Sequence, residues 1–221
     1  MKKNRVLSFS YIVVDFLRVT GAPLLLWFRV KRLYTTPEAK KKIKGGALLI
    51  SNHISLADPM YLLLAIWYRR HHFVAMQKMF DNKFKRWLFT HPFHCIEVNR
   101  ENVSVKSFRN IVNHLKAGKL VTMFPEGHIN IENDGVNSFK SGMIMMALKS
   151  GCPIVPVYIK RRKHWYSRLV VGIGEAFDVS KFSSSNNPTL EEIDNAAKYL
   201  QEEEHKLELL CNEEKKKNDG Q

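Results

Sequence analysis

The sequence predicts an α/β fold: a mostly parallel mixed sheet flanked by helices, preceded by an N-terminal two-helix membrane-associating motif and followed by a C-terminal helix. Three observations carry that reading. Charge-free apolar runs at 47–51, 120–124 and 154–159 have the length and composition of buried strands. Helix-period segments stand between them, the spacing expected of strand–helix–strand units. The first 34 residues concentrate aliphatic and aromatic bulk bracketed by cations. With 221 residues, 45% of them hydrophobic and 25% charged, the chain can bury one sizeable core and is neither disordered nor collagen-like.

The elements follow in chain order. Residues 6–30 are dominated by aliphatic and aromatic side chains, interrupted by the charges of Asp15, Arg18 and Arg29, and their longest uncharged run, 19–28, is ten residues broken by Gly21 and Pro23. A bilayer span needs about 20 apolar residues, and no small-residue cleavage site follows the segment. The pattern predicts helices over 5–19 and 23–34, lying in a membrane interface between Lys2, Lys3 and Arg5 on one side and Arg29, Lys31 and Arg32 on the other. A helical hairpin packed on the body, or a single span, would use the same residues. Lys40 to Lys44 read as a solvated linker before the first buried strand, 47–51. Helices are expected at 59–69, 83–89, 104–117 and 139–149, and strands at 72–76, 95–98, 120–124, 154–159 and 169–173. Pro156 lies inside one strand, which predicts an edge or a bulge there. Thr189-Leu190-Glu191-Glu192 is a capping box that opens the last helix, and residues 213–221 read as a frayed charged tail. The expected division is 1–36 for the membrane-associating segment, 37–182 for the α/β domain and 183–221 for the C-terminal helix and tail.

Charge narrows the partners. Residues 181–221 hold ten acidic and six basic side chains, whereas residues 1–180 hold 29 basic and 11 acidic. A body that basic attracts anions: nucleic acid, anionic lipid or phosphorylated small molecules. Three scattered cysteines, Cys95, Cys152 and Cys211, form neither a disulfide framework nor a zinc-finger spacing, and fit a reducing compartment.

Two short clusters carry chemistry, each directly after a predicted buried strand, where α/β sheets bind ligands. In Asn52-His53-Ile54-Ser55-Leu56-Ala57-Asp58-Pro59, the histidine and carboxylate are five residues apart. On a straight helix they would stand about 140° apart, so they meet only if the chain turns, and Asp58-Pro59 supplies a turn. Asp58 would then orient the imidazole and make His53 a general base for an alcohol. Alternatively Asp58 only caps the following helix. The second cluster is Phe124-Pro125-Glu126-Gly127-His128, which is also a good turn sequence.

With these residues in place, the chain resembles the 1-acyl-glycerol-3-phosphate acyltransferase family from about residue 46 to 157. Four motifs stand in that family's order: NHxSxxDP at 52–59, a strand ending in Arg at Val98-Asn99-Arg100, FPEG at 124–127 followed by FKxG at 139–142, and PIVPV at 153–157.

The resemblance implies acyl transfer from a thioester to the sn-2 hydroxyl of 1-acyl-glycerol 3-phosphate, making phosphatidic acid. His53 would be the base and Asp58 would hold its tautomer. Arg100 would bind the acceptor phosphate, and Glu126 and Gly127 would shape its site, with Asn52, Ser55, Lys140 and His128 also at the substrate. Pro153 to Val157 would lie near the acyl chain or support the core. Ser55 and Cys95 would not be nucleophiles, because the transfer is direct. Acyl-CoA or acyl-carrier protein would be the co-substrate; no cofactor or metal is expected. Lysophosphatidic acid and an anionic membrane surface are the other partners, nucleic acid is not one, and the chain is placed at the cytoplasmic face of a membrane. The sequence departs from the family where His128-Ile129-Asn130 replaces the usual Thr-Arg-Ser, and where Met76-Gln77-Lys78 replaces a Lys-rich segment. Glycerol 3-phosphate or another lysophospholipid is the alternative acceptor. Outside the family, a metal-dependent hydrolase built on His53, Asp58, Glu126 and His128, and a nucleic-acid-binding module, are the rivals.

Overall fold

The computed structural model describes residues 30–90, 94–98, 105–125, 142–162, 164, 167–182 and 188–219. Seven strands form one sheet: β1 (Lys31–Tyr34), β2 (Ala47–Ser51), β3 (His71–Met76), β4 (Ile96–Val98), β5 (Leu120–Met123), β6 (Ile154–Ile159) and β7 (Val170–Ile173). Their spatial order is β1-β7-β6-β2-β5-β3-β4. Every neighbouring pair is parallel except β6–β7. The helices are α1 (Asp58–Ala65), α2 (Lys83–Thr90), α3 (Val105–Lys116), α4 (Gly142–Ser150) and α5 (Leu190–Asp219).

β2 is central and all five of its residues are buried, as a parallel strand covered on both faces must be. Alternation splits its side chains between two cores. Leu48 and Ile50 join Val121 and Ile154 under α3, α4 and α5, through Ile111, Leu115, Ile144 and Leu200. Ala47 and Leu49 join Val155, Val157 and Ile159 on the opposite face, with Leu62 and Ala65 of α1. Helices thus cover both faces, and β2 to β6 all deliver their carboxyl ends to one edge. α3 and α4 stop in the same way. Gly118 (φ 76°) sends its N–H to Leu115 O while Lys119 N–H reaches His114 O; Gly151 (φ 67°) and Cys152 repeat the pattern on Leu148 and Ala147. A residue with a Cβ would be strained at either glycine.

Three expectations are corrected. Residues 31–34 are not the end of a helix but the edge strand β1, parallel to β7. Arg32 on that strand donates to the carbonyls of Ala65 (2.7 Å) and Leu64 (2.9 Å), satisfying the carboxyl end of α1. The rest of the expected N-terminal helix pair, residues 1–29, lies outside the described residues.

Second, of the edge or bulge expected at Pro156 the edge is excluded, because β6 lies between β2 and β7. The proline carbonyl still accepts Gly174 N–H at 2.8 Å. A Cβ on Gly174 would sit 2.7 Å from Pro156 Cγ, so the glycine makes the room the ring needs.

Third, the backbone stays helical to Asp219 rather than fraying at 213. α5 opens on the expected box: Thr189 N–H donates to Glu192 Oε2 (2.8 Å) and Glu192 N–H to Thr189 Oγ1 (3.2 Å). Its later turns cross β7, where Gly172 leaves space for Cys211 and Leu207. Among the described residues, no helix is long and apolar enough to cross a membrane.

Candidate active site

The loop from β2 into α1 is built around one carboxylate oxygen. Asp58 is fully buried, and its Oδ2 accepts the N–H of Ile54 (2.7 Å), the N–H of Ser55 (2.8 Å) and His53 Nδ1 (2.8 Å). Burying a charge without partners is prohibitive; here two peptide dipoles and an imidazole converge on it. Oδ1 takes no hydrogen bond among the described residues. The chain doubles back because Asp58 N–H bonds Ser55 O at 3.1 Å, while Ser55 Oγ takes Ala57 N–H at 3.2 Å.

The turn that the sequence required between 53 and 58 is therefore present. Its form differs from the helix-capping alternative. Asp58 is the first residue of α1 and Pro59 the second, and no side chain caps the helix at Ala57. The carboxylate reaches back along the loop to His53 instead.

His53 is the exposed member of the pair, with 17% of its side chain accessible against none for Asp58. A carboxylate accepting from Nδ1–H leaves the Nε2 lone pair as the basic site. Nε2 has no hydrogen-bond partner among the described residues. Phe124 stacks on the ring, centroids 4.1 Å apart and planes 17° from parallel. That contact follows from topology: β2 and β5 are adjacent and parallel, with Ile50 opposite Met123. Residues leaving their carboxyl ends emerge side by side, so the start of the second cluster meets the first. Sequence reading placed Phe124 at a strand end but missed this role. Its position immediately before Pro125 was the available signal.

Asn52, expected at the substrate, is tied into the scaffold of the loop. It is buried, its Oδ1 accepts Ile159 N–H (2.7 Å), and its amide donates to Ile159 O (3.0 Å). Both ends of the side chain are committed to β6, so it fixes the origin of the His53 loop. Ser55 likewise turns its hydroxyl to Ala57. Arg100, Glu126, Gly127, His128 and Lys140 lie outside the described residues. Ile154, Val155 and Val157 of the PIVPV segment are buried in the two cores.

Two other reactive groups are accounted for by burial. Burial pushes the Cys95 thiol up to about 12, which removes thiolate at neutral pH. His72, near the start of β3, is pushed down to about 3, first by burial and then by Lys119, His94 and His114 around it. Its ring lies 5.6 Å from that of His94 and 5.4 Å from that of His114. A cavity of about 520 Å³ lies at the amino ends of β2 and β6, lined by Lys40, Lys42, Lys44, Trp67 and Tyr68. It opens at the sheet edge opposite His53.

The Acyltransferase family model matches residues 29–160. The chain is 28% identical over 114 residues to a 1-acyl-sn-glycerol-3-phosphate acyltransferase of Bacillus subtilis, covering 51% of this chain and 54% of that protein. It is 26% identical over 156 residues to the protein of that name from Borreliella burgdorferi, covering 66% and 58%. The chain spans about half the length of the curated relatives it matches. In structure it is similar to the 1-acyl-sn-glycerophosphate (LPA) acyltransferase PlsC of Thermotoga maritima, with TM-score 0.65 and 23% identity over 91% of this chain and 80% of that one.

Proposed function

Because the chain belongs to the Acyltransferase family, we propose that it transfers an acyl group from an acyl thioester to the sn-2 hydroxyl of 1-acyl-glycerol 3-phosphate, forming phosphatidic acid. The observation that carries this reading is the His53–Asp58 pair: a buried carboxylate 2.8 Å from the Nδ1 of a partly exposed imidazole, at the carboxyl ends of the parallel strands β2 and β5. The names of the matched relatives supply the acceptor.

In this mechanism His53 Nε2 takes the proton of the acceptor hydroxyl as its oxygen attacks the thioester carbonyl. The imidazolium is stabilised by the Asp58 carboxylate, which the loop N–H groups of Ile54 and Ser55 hold in place. The tetrahedral oxyanion collapses with cleavage of the C–S bond. The thiolate leaves and takes the proton back from the imidazolium, so the base is regenerated without an acyl-enzyme. Phe124 covers one face of the imidazole and restricts its plane.

Arg100 is assigned to the acceptor phosphate, where a guanidinium fork fits. Glu126, Gly127, His128 and Lys140 are assigned to the rest of the acceptor site. β4, whose chain leads on to Arg100, is three strands from β2 in the sheet, about 14 Å at ordinary strand spacing. The donor is acyl-CoA or acyl-carrier protein, and the N-terminal segment rests on the cytoplasmic face of the membrane in which the acceptor resides.

The test is a panel. Purified protein is given acyl-CoA and acyl-carrier protein against lysophosphatidic acid, glycerol 3-phosphate and a zwitterionic lysophospholipid. Phosphatidic acid formed fastest from lysophosphatidic acid is the expected result. Faster acylation of glycerol 3-phosphate would replace the acceptor, and hydrolysis of thioester with no acceptor acylated would overturn the reading.

A further inference from the structure

α2 carries an aromatic face that is exposed to solvent. Its inner side is short: Phe89 is half-buried and meets the buried Phe80 edge-on at 5.9 Å. Arg86 pairs with Glu97 of β4 at 3.1 Å and lies over the Phe80 ring at 5.7 Å. Helical steps of about 100° turn Phe84 and Trp87 away from Phe89. Phe84 is 67% exposed and Trp87 50%, with their rings 6.4 Å apart. Lys83, Lys85 and Arg86, all exposed, interleave with them, and α2 holds no acidic residue.

The position of α2 adds a second observation. It follows the carboxyl end of β3, the same sheet edge from which His53 emerges. At that edge two more large apolar side chains stand out, Leu56 at 81% and Met60 at 41%, in the loop and first turn that carry His53 and Asp58. A water-facing surface has little use for this combination, whereas a bilayer interface accommodates it. Aromatic rings sit at the level of the headgroups, and ammonium and guanidinium groups reach lipid phosphates. One eight-residue helix also offers far less area than the ~800 Å² per partner of a stable protein interface.

We propose that α2 is a membrane-docking element: Phe84 and Trp87 enter the headgroup region of an anionic bilayer, Lys83 and Lys85 pair with its phosphates, and the sheet edge bearing His53 is thereby turned toward the lipid. The choice of a bilayer as occupant rests on the lysophospholipid acceptor proposed above. α2 is distinct in sequence from the N-terminal segment 1–29.

Trp87 is its own probe. In the full chain with Trp27, Trp67 and Trp165 changed to Phe, it is the remaining tryptophan. Phosphatidylglycerol-containing vesicles are expected to shift its emission to the blue, and lipids brominated on their acyl chains to quench it. Independently, Phe84→Glu with Trp87→Glu in the full chain, folded by circular dichroism, is expected to lower the vesicle partition coefficient at least ~10-fold, from the apolar burial lost. Neither readout requires turnover, so the docking surface and the reaction fail separately. Trp87 emission that vesicles leave unmoved overturns the proposal. So does unchanged partitioning of the double variant. Should the double variant lose a concentration-dependent self-association, or lose turnover only with acyl-carrier protein, while vesicle binding is intact, the face belongs to a second copy or to a protein donor.

Discussion

Phe124 lies flat against His53, ring centroids 4.1 Å apart, so the residue that follows β5 positions the imidazole in the loop after β2. Ring stacking contributes about 0.5–1.5 kcal/mol. Phe124→Leu is therefore expected to lower kcat about 2–10-fold with KM for the acceptor little changed, and Phe124→Tyr to restore it. Steady-state kinetics of the two variants check this; equal loss in both would deny the ring a positioning part.

Asp58 does two jobs through one oxygen, holding the loop and the imidazole. Asp58→Asn keeps the shape but removes the charge that stabilises an imidazolium, and turnover is expected to fall about 10²-fold or more. Asp58→Ala should add a loss of about 1–3 kcal/mol in stability, from two loop N–H groups left without their acceptor. Denaturant titration beside the kinetic assay separates the two effects.

Asn52 reads as scaffold, and that is measurable. Asn52→Ala strands both the N–H and the C=O of Ile159, predicting a loss of about 2–4 kcal/mol in stability. Once the remaining folded fraction is counted, KM should be close to that of the parent. A raised acceptor KM at unchanged stability would return Asn52 to the substrate.

His72 sets an acid limit on stability. Its pKa is about 3 in the folded chain against 6.5 when free, so below pH 6.5 the unfolded chain binds a proton that the native chain refuses. Stability from this group is complete above 6.5 and is lost as pH falls toward 3, by about 1.4 kcal/mol per pH unit. His72→Gln should flatten that slope between pH 6 and 4, measured by denaturant midpoints across pH.

What sequence could reveal depended on how local the cause was. β2 announced itself because a strand buried on both faces is apolar throughout, and the ends of α3, α4 and α5 were legible in Gly118, Gly151 and the Thr189–Glu192 box. The His53–Asp58 contact was legible as a possibility because the turn between them is encoded within six residues. Long-range causes were silent. β1 forms because β7, some 140 residues later, offers an edge, and Arg32 then finds the end of α1. Pro156 is tolerated inside the sheet because Gly174 has no side chain. Asn52 is tied to Ile159, 107 residues away. No periodicity or spacing carries such pairings.

The most direct measurement is acceptor-dependent thiol release by the parent chain and by His53→Gln, with acyl-CoA and lysophosphatidic acid at saturation. Loss of about 10²–10⁴-fold in kcat at an unchanged melting temperature is the predicted result. A His53→Gln chain that is fully folded and turns over within a few-fold of the parent would contradict the assignment of the base.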